Sequence, residues 1–267
     1  MILSEIHVYP VKSLRGIPEA SWDADRYGLA GDRRWMLVDE KGRFVTQREL
    51  PRLALINTFL SDDSLMLSAD GMDLMELYRE PPGGEVVKVS VWNDRVLAVD
   101  AGDQAAAHLS AYLERPVRLV HFPHGGERPV DPRFAGAEDH TAFSDGFPFL
   151  LISQASLDDL NGRLQQPLPM ERFRPNLVVN GCEPYEEDRW RRIRIGGMEF
   201  RVVKPCSRCV ITTIDPDSAE KGPEPLRTLS RYRRKGNKVY FGQNLLHDGG
   251  GSLSVGQTVE VLEYATD

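Results

Sequence analysis

The segment with the most reactive side chains is KPCSRCVITTIDPD, which holds two cysteines, Cys206 and Cys209, in CxxC spacing. Lys204 precedes the pair and Arg208 lies inside it. Nearby cations favour the thiolate over the thiol, and the thiolate is the form of cysteine that binds metals and attacks electrophiles. Metal binding and thiol redox chemistry are therefore the two reactive functions to weigh for this segment.

Three reactive interpretations of the pair compete with a purely structural one. A structural zinc site usually needs four ligands, but the sequence has no second CxxC and only one further cysteine, Cys182. A dithiol redox centre places its first cysteine at a helix N-terminus, whereas the β-branched residues from Val210 to Ile214 predict a strand. A soft transition metal could instead be held by one thiolate, with its other ligands from a cofactor. Spacing alone does not separate this from two small residues at a strand end that bind nothing.

The composition indicates a globular protein without general affinity for nucleic acid. The chain has 267 residues, 41% of them hydrophobic and 27% charged, which suits one large or two moderate domains. Its net charge of −7 opposes binding to a phosphate backbone, so we expect no nucleic-acid partner.

The sequence pattern predicts neither a membrane-spanning segment nor a secretory signal peptide. No stretch approaches the ~18 consecutive apolar residues that cross a bilayer, and Glu5 and Lys12 interrupt the apolar start of the chain. We therefore expect no membrane span and no signal peptide. Three cysteines are too few, and odd in number, for a secreted disulfide framework, so we expect a cytoplasmic location.

The elements that must position the reactive residues are mostly short strands. In the first half, MLVDEKGRFVT predicts a hairpin, and the valine-rich stretch from Glu85 to Asp100 predicts another that turns at Asn93-Asp94. The other elements expected here are an apolar run at Leu53–Leu60, a helix over AAAHLSAYL capped by Asp100 or Asp103, and a strand at Val117–Phe122.

The second half begins with the polar loop HGGERPVDPRFAGAED, so we divide the chain into domains at residues 1–121 and 122–267. FPFLLISQASLDDLNGRL then predicts a strand that runs into a helix with Ser153 as its N-cap. Further strands are expected at Asn176–Asn180, Ile193–Val203, Val210–Ile214, Val239–Gly242 and Leu253–Leu262. The predicted fold is α+β and strand-dominated, with two β-barrel-like domains and a few covering helices.

Five ordered motifs resemble those of the MOSC domain, which occurs in molybdenum-cofactor sulfurases and in the mitochondrial amidoxime-reducing components. They are YPVKS (Tyr9–Ser13), GDRRWMLVD (Gly31–Asp39), FRPN (Phe173–Asn176), PCSRC followed by TTIDPD, and FGQN (Phe241–Asn244). By this resemblance, residues 1–121 are similar to the β-barrel region that precedes MOSC, and residues 122–267 to MOSC itself.

The resemblance implies a molybdenum cofactor of the molybdopterin type, with Cys209 as the metal ligand and Cys206 as a neighbour that does not bind the metal. It implies a catalytic role beside the metal for Asp145 as well as for Cys209. The cofactor contacts that it implies are Lys12, Ser13, Arg33, Ser153, Arg174, Asn176, Ser207 and Arg208. A molybdopterin carries an anionic phosphate, which suits such cations and hydroxyl groups. Because these residues come from both halves, we expect the cleft to lie between the two domains.

The activity that the resemblance implies is the reduction of N-hydroxylated compounds such as amidoximes, hydroxylamines and N-hydroxylated bases. Electrons would come from a separate reductase or ferredoxin-like protein, because the chain has no cysteine-rich extension and we expect no iron–sulfur cluster in it. One alternative is a cofactor carrier or sulfur-transfer protein. The absence of a pyridoxal-dependent desulfurase domain weakens the sulfur-transfer alternative, and pyridoxal phosphate binding is expected only at the level of the family. A zinc-stabilised β domain for protein interactions is the third alternative.

Overall fold

The computed structural model describes residues 1–265, so the end of the second predicted domain at Asp267 lies outside the described residues. Strands make up most of the regular structure of this part of the chain. They are β1 (Ile2–Val8), β2 (Ile17–Glu19), β3 (Ser21–Asp25), β4 (Gly28–Leu29), β5 (Trp35–Val38), β6 (Asn57–Leu60), β7 (Ser64–Ala69), β8 (Met72–Tyr78), β9 (Val86–Val91), β10 (Asp94–Asp100), β11 (Arg118–His121), β12 (Phe149–Ser153), β13 (Leu177–Asn180), β14 (Trp190–Ile195), β15 (Met198–Ser207), β16 (Arg234–Lys235), β17 (Lys238–Asp248), β18 (Gly251–Ser254) and β19 (Val259–Tyr264). The α-helices are α1 (Asp103–Leu113), α2 (Gln154–Asn161) and α3 (Leu226–Leu229), and 3-10 helices occupy Pro51–Leu55, Met170–Phe173, Glu186–Arg189 and Val210–Thr213.

The largest sheet combines strands from both halves of the chain. Its order is β19-β14-β15-β17-β12-β13-β1-β2, and β16 adds to β17. β1 pairs antiparallel with β13, which runs parallel to β12. The amide of Leu3 donates to the carbonyl of Gln257 over 2.9 Å, and that of Val259 to Met1 over 3.0 Å, so the sheet curls until its ends meet. Apolar side chains such as Leu3, Phe149 and Trp190 fill its interior.

The smaller sheets lie mainly in the first half. Their orders are β5-β11-β10-β9, β6-β7-β8 and β18-β3-β4, and the last includes a strand from the end of the chain. Helix α1 buries Ala105, Leu109 and Leu113, at the spacing of one helical face, in the same cluster as Leu119 of β11. Because β1 and β3 both pair with strands of the second half, the division at residues 121 and 122 stays a prediction.

Several predicted elements are confirmed, and the differences have local causes. The β9–β10 hairpin forms, but it turns at Trp92-Asn93, one residue early, with Trp92 in a left-handed backbone conformation (φ 55°). The N-cap of helix α1 is Gly102 rather than an aspartate; Asp100 lies two residues earlier, and its oxygens accept hydrogen bonds from Arg118 and from the Gly102 amide. The single strand expected at Ile193–Val203 is two strands, β14 and β15.

The strand expected at Val210–Ile214 is wrong, since Val210–Thr213 is a 3-10 helix. The hydroxyl of Thr212 donates to the carbonyl of Cys209 over 3.0 Å, and that of Thr213 to Val210 over 2.8 Å. These local bonds offer the backbone an alternative to a strand ladder, which outweighs the preference of β-branched residues for strands. Cys209 consequently stands at the N-cap of a helical turn.

The helices of residues 1–265 are short. Among them, none combines the length and hydropathy that crossing a membrane requires.

A buried carboxylate ties the first strand to the middle of the chain. Asp32, which is 1% exposed, accepts hydrogen bonds from the Tyr9 amide (2.8 Å), the Arg33 guanidinium (2.6 Å) and the Asn176 side chain (3.1 Å). Asn176 also donates to the carbonyl of His7 over 3.2 Å and accepts from Arg33 over 2.9 Å. Burial raises the pKa of Asp32, and the charge of Arg33 opposes that rise. This network fixes the starts of β5 and β13 relative to β1.

Replacement of Asp32 by Asn tests the network. The change keeps the size of the side chain but leaves the guanidinium of Arg33, which is 13% exposed, without its partner charge. We expect the free energy of unfolding to fall by about 3–5 kcal/mol, as is typical when one member of a buried ion pair is removed. Urea denaturation measures this. Glu49→Gln, which breaks an exposed pair with Arg115, is the matched control. Equal losses in the two variants would contradict the prediction.

Candidate functional site

Cys209 lies in a cleft whose wall combines residues from both halves of the chain. The cleft encloses about 140 Å³ and opens to solvent. Its wall comprises Lys12, Ser13, Arg33, Thr46, Arg48, Ser144, Asp145, Gly146, Phe147, Phe149, Leu150, Phe173, Arg174, Asn176, Cys206, Ser207, Arg208, Cys209, Ile211, Thr212 and Asn244. Every site residue predicted from the sequence is brought together here, with the exception of Ser153.

The backbone takes an unusual conformation at three of the residues that form this wall. Ser13 (φ 69°), Arg33 (φ 47°) and Arg174 (φ 54°) all have left-handed backbones although none is glycine. Such conformations cost roughly 1–2 kcal/mol for each residue and persist only where the surroundings impose them. Hydrogen bonds hold each of the three: the Arg33 amide donates to the Tyr9 carbonyl, the Arg174 amide donates to the Glu171 carbonyl, and the Ser13 carbonyl accepts from the Gln47 side chain. Strained residues cluster at binding and catalytic sites, so this wall is a candidate for one.

The two cysteines of the pair differ in their surroundings. The thiol of Cys206 is half-buried and accepts a hydrogen bond from Arg208 over 3.0 Å. Cys209 is exposed to the cleft, and no side chain within residues 1–265 bonds to its sulfur. Cys182 is elsewhere, packed against the core of the large sheet. Cys209 is therefore the sulfur that an incoming ligand or metal reaches first.

A lysine and an aspartate form an ion pair across the cleft. Lys12, 7% exposed, donates to Asp145 over 2.6 Å and to the carbonyl of Phe143 over 2.7 Å. Burial lowers the pKa of Lys12 to about 8, against the opposing charge of Asp145. Loss of solvation raises the pKa of Asp145, but the charge and hydrogen bond of Lys12, helped by Arg48 and Trp92, hold it below its usual range. Asp145, 62% exposed, is thus an ionised acceptor facing the cleft.

Two arginines are held by one buried tyrosine. The guanidinium carbons of Arg33 and Arg174 each lie 4.3 Å from the ring centroid of Tyr9. Arg174 also donates to the carbonyl of Leu14 over 2.6 Å, and Arg33 donates to the carbonyl of Arg174 over 3.2 Å. Burial lowers the pKa of Arg174 to about 10, with Tyr9 opposing and Arg33 reinforcing the shift, so Arg174 stays charged at neutral pH. The stacking aims two cations at the cleft.

Sequence reasoning missed a cluster at the mouth of the cleft. Arg48 lies 4.4 Å from the ring of Trp92 and 6.0 Å from that of Phe44, and its Nε is buried without a partner within residues 1–265. The indole of Trp92 donates to Asp145 over 3.1 Å. A tryptophan beside the predicted hairpin turn is an unusual sequence feature that could have drawn attention to Trp92. Its side chain is 49% exposed in the structure. Nothing in the spacing of Arg48 pointed to the cleft.

Ser153, predicted as a cofactor contact, lies outside the cleft. It is fully buried, caps α2 by accepting a hydrogen bond from the Ser156 amide, and donates to Glu187 over 2.9 Å. Its hydroxyl is used inside the core, as the N-cap prediction expected. We do not propose it as a ligand-binding residue.

The chemistry of the cleft suits an anion beside a thiol. Five cations, Lys12, Arg33, Arg48, Arg174 and Arg208, line it, and among the described residues of its wall Asp145 is the one carboxylate. Residues 1–265 contain no group of three or more His, Cys, Asp or Glu side chains placed to share a metal ion. A metal held by Cys209 would take its other ligands from a cofactor, and these donors fit a phosphate-bearing cofactor.

Comparison with known proteins gives two family matches. The model of the MOSC N-terminal beta barrel domain matches residues 1–116, and that of the MOSC domain matches residues 138–260. With the curled sheets, these matches confirm the predicted strand-dominated α+β fold.

Individual relatives match over most of their length. Mitochondrial amidoxime-reducing component 1 of Homo sapiens is 38% identical, covering 97% of this chain and 82% of the relative. The component 1 protein of Danio rerio is 33% identical (98% and 85%), and component 2 of Rattus norvegicus is 36% identical (96% and 82%).

The different surroundings of the cysteines predict an order of alkylation. At pH 8, iodoacetamide should modify Cys209 first, Cys206 next and Cys182 last. Burial, with the charge of Glu187, raises the pKa of Cys182 to about 11, so its thiolate is scarce. We expect its rate to be lower than that of Cys209 by at least about tenfold. Peptide mass spectrometry over time measures the three rates, and faster labelling of Cys206 than of Cys209 would contradict the geometry described above.

Proposed function

Because this chain belongs to the family of MOSC-domain proteins that includes the mitochondrial amidoxime-reducing components, we propose that it binds a molybdenum cofactor in the cleft and reduces N-hydroxylated compounds. The observation that carries the proposal is the exposed thiol of Cys209 in a cleft with five cations. A thiolate is a preferred ligand of soft metals, and the cations suit the phosphate of a pterin cofactor.

Each part of the cofactor has candidate partners in the cleft. Cys209 is the proposed metal ligand, while Cys206 is occupied by Arg208 and serves as a neighbour. Lys12, Arg33 and Arg174 would hold the phosphate, because these three basic side chains converge on the cleft from separate loops. Ser13, Asn176 and Ser207 add hydroxyl and amide groups to the same wall. When bound, the molybdenum cofactor supplies the two-electron redox chemistry.

Asp145 is the proposed contact to the substrate. One oxygen, Oδ1, accepts from both Lys12 and Trp92, whereas within residues 1–265 no group donates to Oδ2. An ionised carboxylate with one free oxygen suits the N–H groups of an amidoxime or of an N-hydroxylated base. Asp145 would orient these groups so that the N–O bond faces Cys209.

The proposed reaction consumes two electrons and two protons, breaks the N–O bond and releases water. We propose that a separate redox protein delivers the electrons. The cytoplasmic location expected from the sequence stays a prediction, and the related proteins carry the word mitochondrial in their names.

The first test compares Cys209→Ser with Cys206→Ser, both expressed in a host that makes the cofactor. We expect near-stoichiometric molybdenum in the wild type and in Cys206→Ser, and its loss in Cys209→Ser, because Cys209 faces the cleft without a partner within residues 1–265, whereas Cys206 accepts a hydrogen bond from Arg208. Elemental analysis for molybdenum and zinc, together with reduction of benzamidoxime by a chemical reductant, measures both properties. Molybdenum without turnover would favour the cofactor carrier instead. Zinc without molybdenum would contradict both the reductase and the cofactor carrier.

A second test uses the lowered pKa of Lys12. The amine is charged below about pH 8 and neutral above it. A bound anion raises that pKa, so retention of molybdenum after gel filtration should decline above pH 8. Loss of one charge-assisted hydrogen bond of ~1.5–3 kcal/mol corresponds to a weakening of the affinity by roughly 10- to 100-fold.

Two variants of Lys12 are the controls for this pH dependence. Lys12→Arg keeps its charge and should retain molybdenum equally at pH 7 and pH 9.5. Lys12→Met should retain little at either pH. Equal retention by wild type and Lys12→Met at pH 7 would show that this amine does not bind the cofactor.

A further inference from the structure

A second cavity adjoins the cleft but does not share its wall. Arg33 lines the cleft, whereas the next two residues, Arg34 and Trp35, line the second cavity. This cavity encloses about 270 Å³. A single water needs only about 10–15 Å³ measured in this way, so a small organic molecule has room here. Its wall comprises Asp25, Arg26, Tyr27, Gly31, Arg34, Trp35, Leu60, Arg79, Glu80, His121, Phe122, His124 and Gly125.

His121 is a buried polar side chain that faces this cavity. It is 6% exposed, and its ring centroid lies 4.6 Å from that of Trp35. Within the described chain, residues 1–265, no hydrogen bond joins either of its ring nitrogens to another group. Nothing in the proposed reductase chemistry uses this residue.

Two arginines beside His121 have donor groups that the protein does not use fully. Arg34 bonds to Asp25 and lies 4.1 Å from the Tyr27 ring, but its Nε is buried without a partner among residues 1–265. Arg79 donates to the carbonyl of Ser61 over 3.0 Å. Its nearest carboxylate is that of Asp62, 3.9 Å away and fully exposed, a pairing of little strength.

The electric field of these arginines reaches the histidine. Burial, followed by the charges of Arg34 and Arg79, lowers the pKa of His121 to about 4. Arg26, a third arginine of the wall, is 3.5 Å from Glu127 and 3.0 Å from His140, so it is the most fully partnered of the three. The cavity therefore holds cationic groups whose N–H donors are not all used within residues 1–265, and it has room for a small organic molecule beside them.

We propose that this second cavity binds a small organic oxyanion, with its carboxylate or phosphate group at Arg34, Arg79 and His121 and its apolar part in the remaining volume of the cavity. Arginine matches both kinds of oxyanion through paired N–H donors, and a cavity of about 270 Å³ has room for more than the oxyanion itself. The site is independent of the proposed reductase function, because it shares no lining residue with the cleft.

The test titrates the purified wild-type protein with benzoate, phenyl phosphate and inorganic phosphate, and follows the ring signals of His121 by NMR. Benzoate and phenyl phosphate should shift these signals with saturable binding, and inorganic phosphate, which lacks the apolar part, should bind at least tenfold more weakly. The relative affinities of benzoate and phenyl phosphate identify the preferred oxyanion. No shift of the His121 signals with any of the three probes would overturn the proposal.

Variants separate this cavity from the anion-binding cleft. Arg79→Gln should weaken benzoate binding at least tenfold, and because Arg79 is 27% exposed this change leaves the core intact. Arg95→Gln, an exposed arginine of β10 outside the cavity, is the matched control and should bind as the wild type does. Equal affinities in Arg79→Gln and the wild type would contradict the site, as would a His121 shift abolished by Lys12→Met in the cleft.

The pH dependence of benzoate binding provides a further readout. The titratable and charged groups that face His121 are Asp25, Arg26, Arg34, Arg79, Glu80 and His124. A bound carboxylate stabilises the imidazolium, so the affinity should rise as the pH is lowered from 8 to 5.5, where benzoate stays ionised. His121→Gln should bind benzoate without this dependence. An identical pH profile in the variant and the wild type would exclude His121 from the site.

Discussion

The cleft depends on the buried carboxyl group of Asp32 in the interior of the protein. This group holds the Tyr9 amide, the guanidinium of Arg33 and the amide of Asn176 at one point, where the first strand meets the middle of the chain. A buried charge is stable only when its surroundings satisfy it, so these partners have little freedom to move. The left-handed backbone of Arg33, and through it the stacking on Tyr9, follows from this constraint.

The cleft also shows how a positive electrostatic field arises locally in a protein whose net charge is negative. The chain carries a net charge of −7, yet five cations meet one carboxylate in the cleft. Net charge acts over the whole surface and is screened by salt, whereas side chains a few ångströms apart in a partly dry cleft interact more strongly. The acidic balance therefore governs the partners that the surface attracts, and the loops that carry Lys12, Arg33 and Arg174 govern the ligand of the cleft.

The sequence predicted the elements whose signals are local. The β9–β10 hairpin, the strand leading into α2 and the N-cap at Ser153 each depend on neighbouring residues, and the motif resemblance indicated nine residues that the structure places in one cleft. The strand predicted at Val210–Ile214 was wrong because the threonine hydroxyls bond back to the chain, a choice that strand propensity does not include. The positions of Arg48 and Trp92 at the cleft were missed because their contacts join residues that are distant in the sequence. Arg48 contacts the ring of Trp92, and Trp92 donates to Asp145; local sequence patterns do not encode such contacts.

The pairing of β1 with β13 and of β3 with β18 governs the order in which the protein can be completed during synthesis. After β1 and β3 have left the ribosome, one edge of β1 lacks its neighbour β13 until residue 180 has emerged. One edge of β3 likewise lacks its neighbour β18 until residue 254 has emerged. Contacts so distant along the chain form slowly and leave strand edges open in the meantime. The turn carrying Lys12 and the loop carrying Cys209 therefore meet late, and a cofactor that needs both can bind only after Cys209 has emerged.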